Sequence, residues 1–180
     1  MTVEIDVEID TATSSRLTEL ADVAARTFPL ACPPSATADD IAAFVAANLS
    51  PARFGDYLAD PDRVLLTATS AGRIVGYAMM IRGVPDDADV LRAVTLRPAV
   101  ELSKMYVLPD SHGVGVSAVL MSAALAKAET LAAAGVWLGV NQQNRRAQRF
   151  YAKHGFTICG TKSFRLGAAV EQDYVMVRPA

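Results

Sequence analysis

Residues 101–118 read ELSKMYVLPDSHGVGVSA, and the rest of the chain is organised around this stretch. Its first part, 102–108, is apolar and partly β-branched, which is typical of a buried strand. Pro109 ends that strand because proline has no backbone N–H to give to a strand ladder. The loop HGVG at 112–115 follows, and an alanine-rich helix is predicted over roughly 116–134. The stretch therefore predicts a strand, a glycine loop and the start of a long helix.

The glycine loop is suited to holding a phosphate group. Gly113 and Gly115 let the backbone turn tightly and come close to a ligand. The first amides of the following helix have no partner inside the helix, and the helix dipole is positive at that end. Both features stabilise a phosphate or a pyrophosphate. A flexible turn without a ligand is the alternative, since the sequence is neither a GxGxxG fingerprint nor a Walker loop.

Composition limits the class of protein. The chain has 180 residues, of which 52% are apolar, so one folded domain over residues 1–180 is expected. The net charge of −2 argues against a nucleic-acid partner, because phosphate binding usually needs a basic surface. Cys32 and Cys159 are far apart and belong to no CxxC or histidine cluster, so no metal is expected.

The sequence suggests neither export nor a membrane partner. The first residues, MTVEIDVEID, are acidic and alternating, unlike a signal peptide. No apolar run reaches the length needed to cross a bilayer. A cytoplasmic protein is therefore expected.

The order of predicted elements indicates an α/β fold. Apolar and acidic residues alternate over 3–9, which predicts a half-buried edge strand, and the chain then reads α-α-α-β-β-β-α-β-α-β-β. Residues 85–89 are interpreted as an acidic surface loop, and Gly135 as the end of the long helix. The sequence does not give the oligomeric state, although the last strand, 174–177, if it is exposed, could pair between the subunits of a homodimer. The prediction is a mixed, mostly antiparallel central sheet of about seven strands with helices on both faces.

Two motifs carry a resemblance to a known family. HGxGxS at 112–117 stands between a predicted strand and a long helix, and NxxAxxFYxKxGF at 144–156 follows the next strand. Together with the order of elements, these motifs resemble the GCN5-related N-acetyltransferase (GNAT) superfamily. The resemblance covers the whole chain in element order and is most specific over 97–177. It implies the GNAT, or acyl-CoA N-acyltransferase, fold and a single N-acetyltransferase domain.

The C-terminal end has a narrower likeness. WLGV at 137–140, the glycines within 155–167 and EQDYVM at 171–176 are similar to the PaiA-like group of bacterial spermidine/spermine N-acetyltransferases. That group also tends to carry a histidine in the phosphate loop, as His112 does here. The likeness implies a polyamine acceptor, which the acidic loop at 85–89 could attract, although a solvated loop is the alternative.

The loop departs from the usual superfamily pattern, Arg/Gln-x-x-Gly-x-Gly/Ala. Its first position here is His112 and its last is Ser117. Histidine lacks the permanent charge of arginine, so backbone amides would have to carry more of the pyrophosphate contact. Serine is still small, and the close approach of the backbone to the ligand should survive.

The reaction that the resemblance implies is transfer of an acetyl group from acetyl-CoA to a primary amine, by direct attack in a ternary complex. An aliphatic amine with a pKa of about 10.4 is protonated at pH 7, and freeing it costs about 4–5 kcal/mol. The site then needs a base or a desolvating pocket for the amine and an acid for the leaving thiolate. It also needs donors for the carbonyl oxygen.

The resemblance also assigns roles to residues. Tyr151 is the expected acid for the departing sulfur, and the alternative is an amphipathic core residue. Glu101 is the candidate base, acting through water, because period-two alternation would place it on the same strand face as Val107. A surface carboxylate is the alternative for Glu101. The residues expected to bind the cofactor are Met105, Tyr106, Val107, His112, Gly113, Val114, Gly115, Val116, Ser117, Asn144 and Tyr151.

Each group of cofactor residues has its own expected contact. Strand residues 105–107 would offer backbone groups to the pantetheine arm, and 112–117 would cradle the pyrophosphate. Asn144 would cap the helix that carries Tyr151 and would also touch the cofactor. The expected partner is a small-molecule amine.

Two other functions stay open at the level of sequence. One is acetylation of a protein amine, either a lysine or an N-terminal amine, which would require an extended acceptor groove. The other is a non-catalytic acyl-CoA-binding regulatory module, for which the departures at His112 and Ser117 leave room. Cofactor binding without turnover would indicate the regulatory module.

Overall fold

Seven strands form one mixed sheet in the computed structural model, which describes residues 6–113 and 115–180. The strands are β1 (Glu8–Thr11), β2 (Arg63–Ser70), β3 (Arg73–Arg82), β4 (Ala99–Val107), β5 (Gly135–Asn141), β6 (Thr157–Leu166) and β7 (Ala169–Pro179). The helices are α1 (Leu17–Ala31), α2 (Ala38–Asn48), α3 (Pro51–Ala59), α4 (Ala88–Ala93), α5 (Val116–Thr130) and α6 (Arg145–Lys153). The spatial order is β1-β2-β3-β4-β5-β7-β6, and neighbouring strands are antiparallel except β4 with β5. The predicted mixed, mostly antiparallel sheet is confirmed.

Helices cover both faces of the sheet, and each face carries its own apolar cluster. On one face, α5 buries Leu120 and Met121 completely in a cluster with residues of β3 and β4. On the other face, Leu20 of α1 and Phe54 of α3 pack in a cluster with Tyr77 of β3. Burying one leucine side chain stabilises the fold by roughly 1.5–3 kcal/mol. The two clusters therefore hold the helices to the sheet on both sides, as the sequence predicted.

A β-bulge in β4 decides which of its side chains share a face. The register of β4 against β3 skips Ser103, which is an extra residue between Leu102 and Lys104. A bulge of this kind shifts the alternation of side chains by one residue. Val107 packs in the cluster under α5, whereas Glu101 and Lys104 lie on the face covered by α1. The prediction that Glu101 and Val107 share a face is therefore wrong, because period two fails across the bulge.

The acidic stretch 85–89 is a loop only over 85–87, because its last two residues begin α4. The Asp87 carboxylate accepts hydrogen bonds from the amides of Asp89 and Val90, at 2.9 and 3.1 Å. An aspartate in this position satisfies amides that the first helical turn leaves without partners. Val90 is also fully buried and anchors the helix.

The long helix α5 ends earlier than predicted, at Thr130. The chain leaves it through Ala132, which adopts a left-handed backbone with φ of 56°. Gly135 is then the first residue of β5 and does not terminate the helix. A Cβ at Gly135 would lie 2.7 Å from the Leu96 side chain, so close packing explains this glycine.

The last strand lies inside the sheet. β7 pairs with β5 on one side and with β6 on the other, and β6 forms the edge. The idea that the last strand is exposed is therefore wrong, because both sides of β7 are already hydrogen-bonded, and the homodimer itself stays a prediction. β1 forms the other edge, as predicted for the N-terminal strand. Part of that predicted strand, residues 3–5, lies outside the described residues.

Candidate active site

A cavity opens where β4 and β5 separate. In the described chain the two strands pair in parallel at three positions, ending at Glu101 opposite Trp137. Beyond that point, β4 continues to Val107 along β3, and β5 continues to Asn141 along β7. The gap is part of a cavity of about 380 Å³. Backbone groups on the facing strand edges are thereby available to a ligand.

Most of the predicted site residues come together in this cavity. Those that line it are Glu101, Met105, Tyr106, Val107, His112, Ser117, Asn144 and Tyr151. Gly113, Gly115 and Val116 belong to the adjoining loop and helix start, and the Val116 side chain is buried in the core. Val114 lies outside the described residues. The structure therefore leaves Val116 only its backbone to offer to a ligand.

The glycine loop enters α5 through left-handed backbone. Gly113 and Gly115 have φ values of 78° and 85°, and Gly115 directly precedes the first helical residue. L-residues adopt such φ values only at a cost, so glycine is required by the turn. The free amides and the positive dipole end of α5 make this helix start attractive to an anion.

His112 ties the glycine loop to the end of β4. Its Nε2 lies 2.7 Å from the carbonyl oxygen of Val107. Because a carbonyl oxygen can only accept, Nε2 carries a hydrogen and donates it. The imidazole therefore holds the loop against the strand as well as forming part of the cavity wall.

Tyr151 is carried by α6, which Asn144 caps. The Asn144 side-chain oxygen accepts a hydrogen bond from the Ala147 amide at 3.2 Å, which confirms the predicted cap. The Tyr151 ring packs edge-on against Phe150 and Phe156, with centroid distances of 5.6 and 5.9 Å. Burial raises the pKa of Tyr151 to about 12. The phenol is thus protonated at neutral pH and is able to donate its proton in the cavity.

Glu101 stands where the strands divide, close to Lys104. Burial raises the pKa of the Glu101 carboxyl above its ordinary value of 4.5, and the charges of Lys162, Lys104 and Arg63 oppose that rise. Burial also lowers the pKa of Lys104, while the charge of Glu101 opposes that change. Arg63 is paired with Asp60 at 3.0 Å. Among residues 6–113 and 115–180, neither Glu101 nor Lys104 has an ion-pair partner within 4 Å.

Sequence reasoning missed four charged residues of the cavity, Lys104, Arg146, Lys162 and Asp173. Lys162 Nζ lies 3.4 Å from Asp173 Oδ2, and both side chains are mostly buried. The Lys162 side chain crosses over Gly139, and a Cβ at position 139 would overlap the Lys162 Cε. A lysine within the apolar run LSKMYV was a signal for Lys104. The Lys162–Asp173 pair gave none, because it depends on the register of β6 against β7.

Aromatic rings form another part of the cavity wall. Phe28 and Phe44 stack with a centroid distance of 4.4 Å, and Phe164 meets Phe44 edge-on at 5.7 Å. Lys104 Nζ lies 5.8 Å from the centre of the Phe44 ring. These rings come from α1, α2 and β6, so only the folded chain brings them together.

Comparison with known proteins identifies the family. A model of the acetyltransferase (GNAT) family matches residues 20–156. This chain belongs to the GNAT acetyltransferase family. Proteins of Mycobacterium bovis and Mycobacterium tuberculosis that carry the name uncharacterized N-acetyltransferase are 62% identical to this GNAT chain over 160 residues. The match covers 89% of this chain and 95% of theirs, and the chain is accordingly an N-acetyltransferase, as the resemblance implied.

Solved structures share the GNAT fold. The PaiA N-acetyltransferase of Thermoplasma acidophilum, solved in complex with coenzyme A, aligns with a TM-score of 0.77 at 17% identity. That alignment covers 98% of this chain and 100% of the other. A GCN5-related N-acetyltransferase of Rhodopseudomonas palustris aligns over 99% of both chains with a TM-score of 0.74, also at 17% identity. These likenesses confirm the predicted fold.

Two further properties concern the described ranges, 6–113 and 115–180. None of the helices there has both the length and the hydrophobicity that a bilayer crossing requires. In the same ranges, no three histidine, cysteine, aspartate or glutamate side chains converge as a metal site would require.

Proposed function

We propose that this GNAT chain transfers an acetyl group from acetyl-CoA to a small primary amine. The observation that carries the proposal is that Glu101 and Tyr151 line one cavity at the gap between β4 and β5. A carboxylate and a protonated phenol in one cavity can manage both protons of the reaction. Acetyl-CoA supplies the acetyl group as a thioester.

Residues around the gap fit a coenzyme A group. Backbone groups of Met105 and Tyr106 would pair with the pantetheine arm, since the β4 edge facing β5 continues beyond the last paired position. The Val107 carbonyl already accepts a hydrogen bond from His112, so Val107 contributes less. Loop and helix amides over 112–117 would bind the pyrophosphate. Binding of coenzyme A by the PaiA N-acetyltransferase of Thermoplasma acidophilum supports this assignment.

Glu101 is the proposed base. Its carboxylate takes a proton from the acceptor ammonium, directly or through one water molecule. The raised pKa of Glu101 makes the carboxylate a stronger base than an ordinary glutamate. Its place where β4 and β5 divide supports this role, because the acceptor amine must reach the gap between the strands.

Tyr151 is the proposed acid for the departing sulfur. Its pKa of about 12 keeps the phenolic hydrogen in place until the sulfur develops negative charge. A free thiol has a pKa of about 8.5, so complete proton transfer from this phenol is uphill. The hydrogen bond that Tyr151 donates therefore supplies much of the stabilisation, as donors aimed at developing charge do.

A polyamine is the acceptor that the PaiA-like resemblance implies. The carboxylates of Glu101 and Asp173 would attract a polyamine, whereas Lys104 and Lys162 would repel it. The cavity of about 380 Å³ lies in the range of small-molecule sites, and its lining includes several proposed cofactor residues and these four charged residues.

Initial rates of thiol release, measured while acetyl-CoA and the amine are both varied, test the proposal. Direct attack in a ternary complex gives double-reciprocal lines that intersect. Parallel lines would indicate an acetyl-enzyme and would contradict direct attack. Thiol release that does not depend on any amine would contradict the transferase reaction itself.

A further inference from the structure

Two opposite charges, which have no ion-pair partner within 4 Å among residues 6–113 and 115–180, face the cavity from one stretch of β4. We infer that the acceptor is an amine that carries its own carboxylate group, such as a free amino acid, and that it is held between Glu101 and Lys104. The inference rests on the proposed function and narrows its acceptor to one chemical class.

The bulge at Ser103 creates this juxtaposition. Without an extra residue, positions 101 and 104 would lie on opposite faces of the strand. With Ser103 skipped in the register, Glu101 and Lys104 share the face on which α1 packs, and both line the cavity. The fold thereby places a carboxylate and an ammonium side by side within one small site.

Neighbouring charges are already satisfied by the protein. Lys162 pairs with Asp173 at 3.4 Å, and Arg63 pairs with Asp60 at 3.0 Å. Within the described chain, the partly buried Glu101 and Lys104 are left without such partners. Partly buried charges are costly unless they are paired, so a ligand that supplies both opposite charges gains most from this site.

A zwitterion fits this pattern better than a polycation does. Its ammonium would face Glu101, the proposed base, and its carboxylate would face Lys104. The carboxylate would also favour the charged form of Lys104, whose pKa burial lowers. A polyamine would instead bring further positive charge against Lys104 and Lys162. Arg146 also lines the cavity, from the exposed surface of α6, and adds to that repulsion.

The aromatic wall indicates the rest of the acceptor. Phe44 lies 5.8 Å from Lys104 Nζ and forms one surface with Phe28 and Phe164. Apolar groups of a ligand pack favourably against such rings. An amino acid with an apolar side chain therefore fits the wall and the two charges together.

Acetylation of the common amino acids, of β-alanine and of 4-aminobutyrate, each compared with its methyl ester and with spermidine, tests the inference. Thiol release from acetyl-CoA gives kcat/KM for each acceptor. We expect kcat/KM for at least one acid to exceed kcat/KM for its methyl ester by about tenfold or more, because the ester lacks one charged contact. Spermidine should be a poorer acceptor than that acid.

The Lys104→Met variant locates the effect. It should lower kcat/KM for the acid by about tenfold through a higher KM, while kcat/KM for the ester should change by less than about threefold. Lys104→Arg should restore part of the preference for the acid over its ester. Lys153→Met, at an exposed lysine of α6, should leave kcat/KM unchanged for both acceptors. Circular dichroism and calorimetric binding of coenzyme A establish that each variant is folded.

Failure of the inference and failure of the proposed function give different results. If the esters or spermidine are turned over at least as fast as every acid, the proposed class of acceptor is wrong. The proposal of acetyl transfer to an amine would be unaffected by that result. An acid preference that Lys104→Met leaves unchanged would overturn the role of Lys104. No thiol release with any acceptor would overturn both.

Discussion

Glu101 and Tyr151 approach the cavity from opposite faces of the sheet. Glu101 lies on the face covered by α1, whereas Tyr151 packs with the cluster beneath α5. A continuous sheet would keep two such side chains apart. They reach one cavity because β4 and β5 stop pairing after Glu101, so the cavity passes through the sheet.

Replacing Tyr151 by phenylalanine removes only the hydroxyl group. We expect kcat to fall by roughly 10²-fold or more, since that is the usual contribution of a positioned acid. The ring contacts with Phe150 and Phe156 are retained, so the melting temperature and the affinity for coenzyme A should change little. Steady-state thiol release and calorimetry measure these quantities.

Tyr174→Phe is the matched control, because Tyr174 packs against the same apolar cluster without lining the cavity. It should keep full activity. Full activity of Tyr151→Phe would remove this phenol from the mechanism and leave Tyr151 as a packing residue.

The Glu101 base predicts a pH dependence with a definite sign. The carboxylate works only when ionised, so the rate should fall as the pH falls through its pKa, which lies above 4.5. The Glu101→Gln variant cannot accept the proton, so its rate should be lower. Its pH–rate profile should no longer show the fall at acidic pH and should follow only the ionisation of the acceptor amine. The exposed Glu129→Gln variant should keep the wild-type profile. An unchanged profile in Glu101→Gln would show that another group is the base.

Residues that hold fixed positions in a spaced sequence motif were identified from the sequence, whereas several residues that hold no such position were missed. Asn144 and Tyr151 follow from a spaced motif on one helix, and the structure places both in the cavity wall. Lys162 and Asp173 have no local pattern, because they meet only through the pairing of β6 with β7.

Helices and strands were predicted well where the hydrophobic periodicity is regular. They were predicted poorly where one extra residue shifts the alternation of side chains between the two faces of a strand. β2 and β3 are the two consecutive strands that the predicted element order places after the first three helices. The bulge at Ser103 leaves no trace in the apolar pattern of β4, so the facing of Glu101 was misassigned. α4 was missed because its six residues are too few to show a helical period.

The glycine loop gives a prediction with a close backbone control. Gly113 and Gly72 have φ values of 78° and 76°, and a Cβ at either would meet open space. Alanine at either position should cost about 1–2 kcal/mol of unfolding free energy through left-handed strain. Only Gly113→Ala should also weaken acetyl-CoA binding, as measured by calorimetry beside urea unfolding. Equal affinities in the two variants would argue against the loop as the pyrophosphate site.

At the scale of the whole molecule, the sheet consists of two antiparallel parts joined at a short parallel contact. β1 to β4 form one part and β5 to β7 the other, and β4 pairs with β5 at three described positions. A ligand that pairs with both edges of the gap links the parts and stabilises the folded state.

Acetyl-CoA should therefore raise the melting temperature. At a hundred times its dissociation constant, a ligand adds about 2.7 kcal/mol, which corresponds to about 5–10 °C for a chain of this size. Pantetheine, which lacks the nucleotide and pyrophosphate, should produce a smaller shift at equal concentration. Equal shifts in a thermal-unfolding experiment would contradict the pyrophosphate contacts.

The fold of the whole molecule was predictable because element order and two motifs together determine it. The position of β7 between β5 and β6 was not, since the sequence does not show which strand forms the edge. The end of the cavity that we propose for the acceptor was equally hidden, because α1, α2, β4 and β6 all contribute to it.

Amine-dependent thiol release from acetyl-CoA, with the acetylated product identified by mass spectrometry, tests the central claim most directly. The reaction should release one thiol for each N-acetyl group formed, and only when an amine is present. Tight binding of acetyl-CoA without any amine-dependent release would contradict acetyl transfer and would favour the acyl-CoA-binding regulatory module.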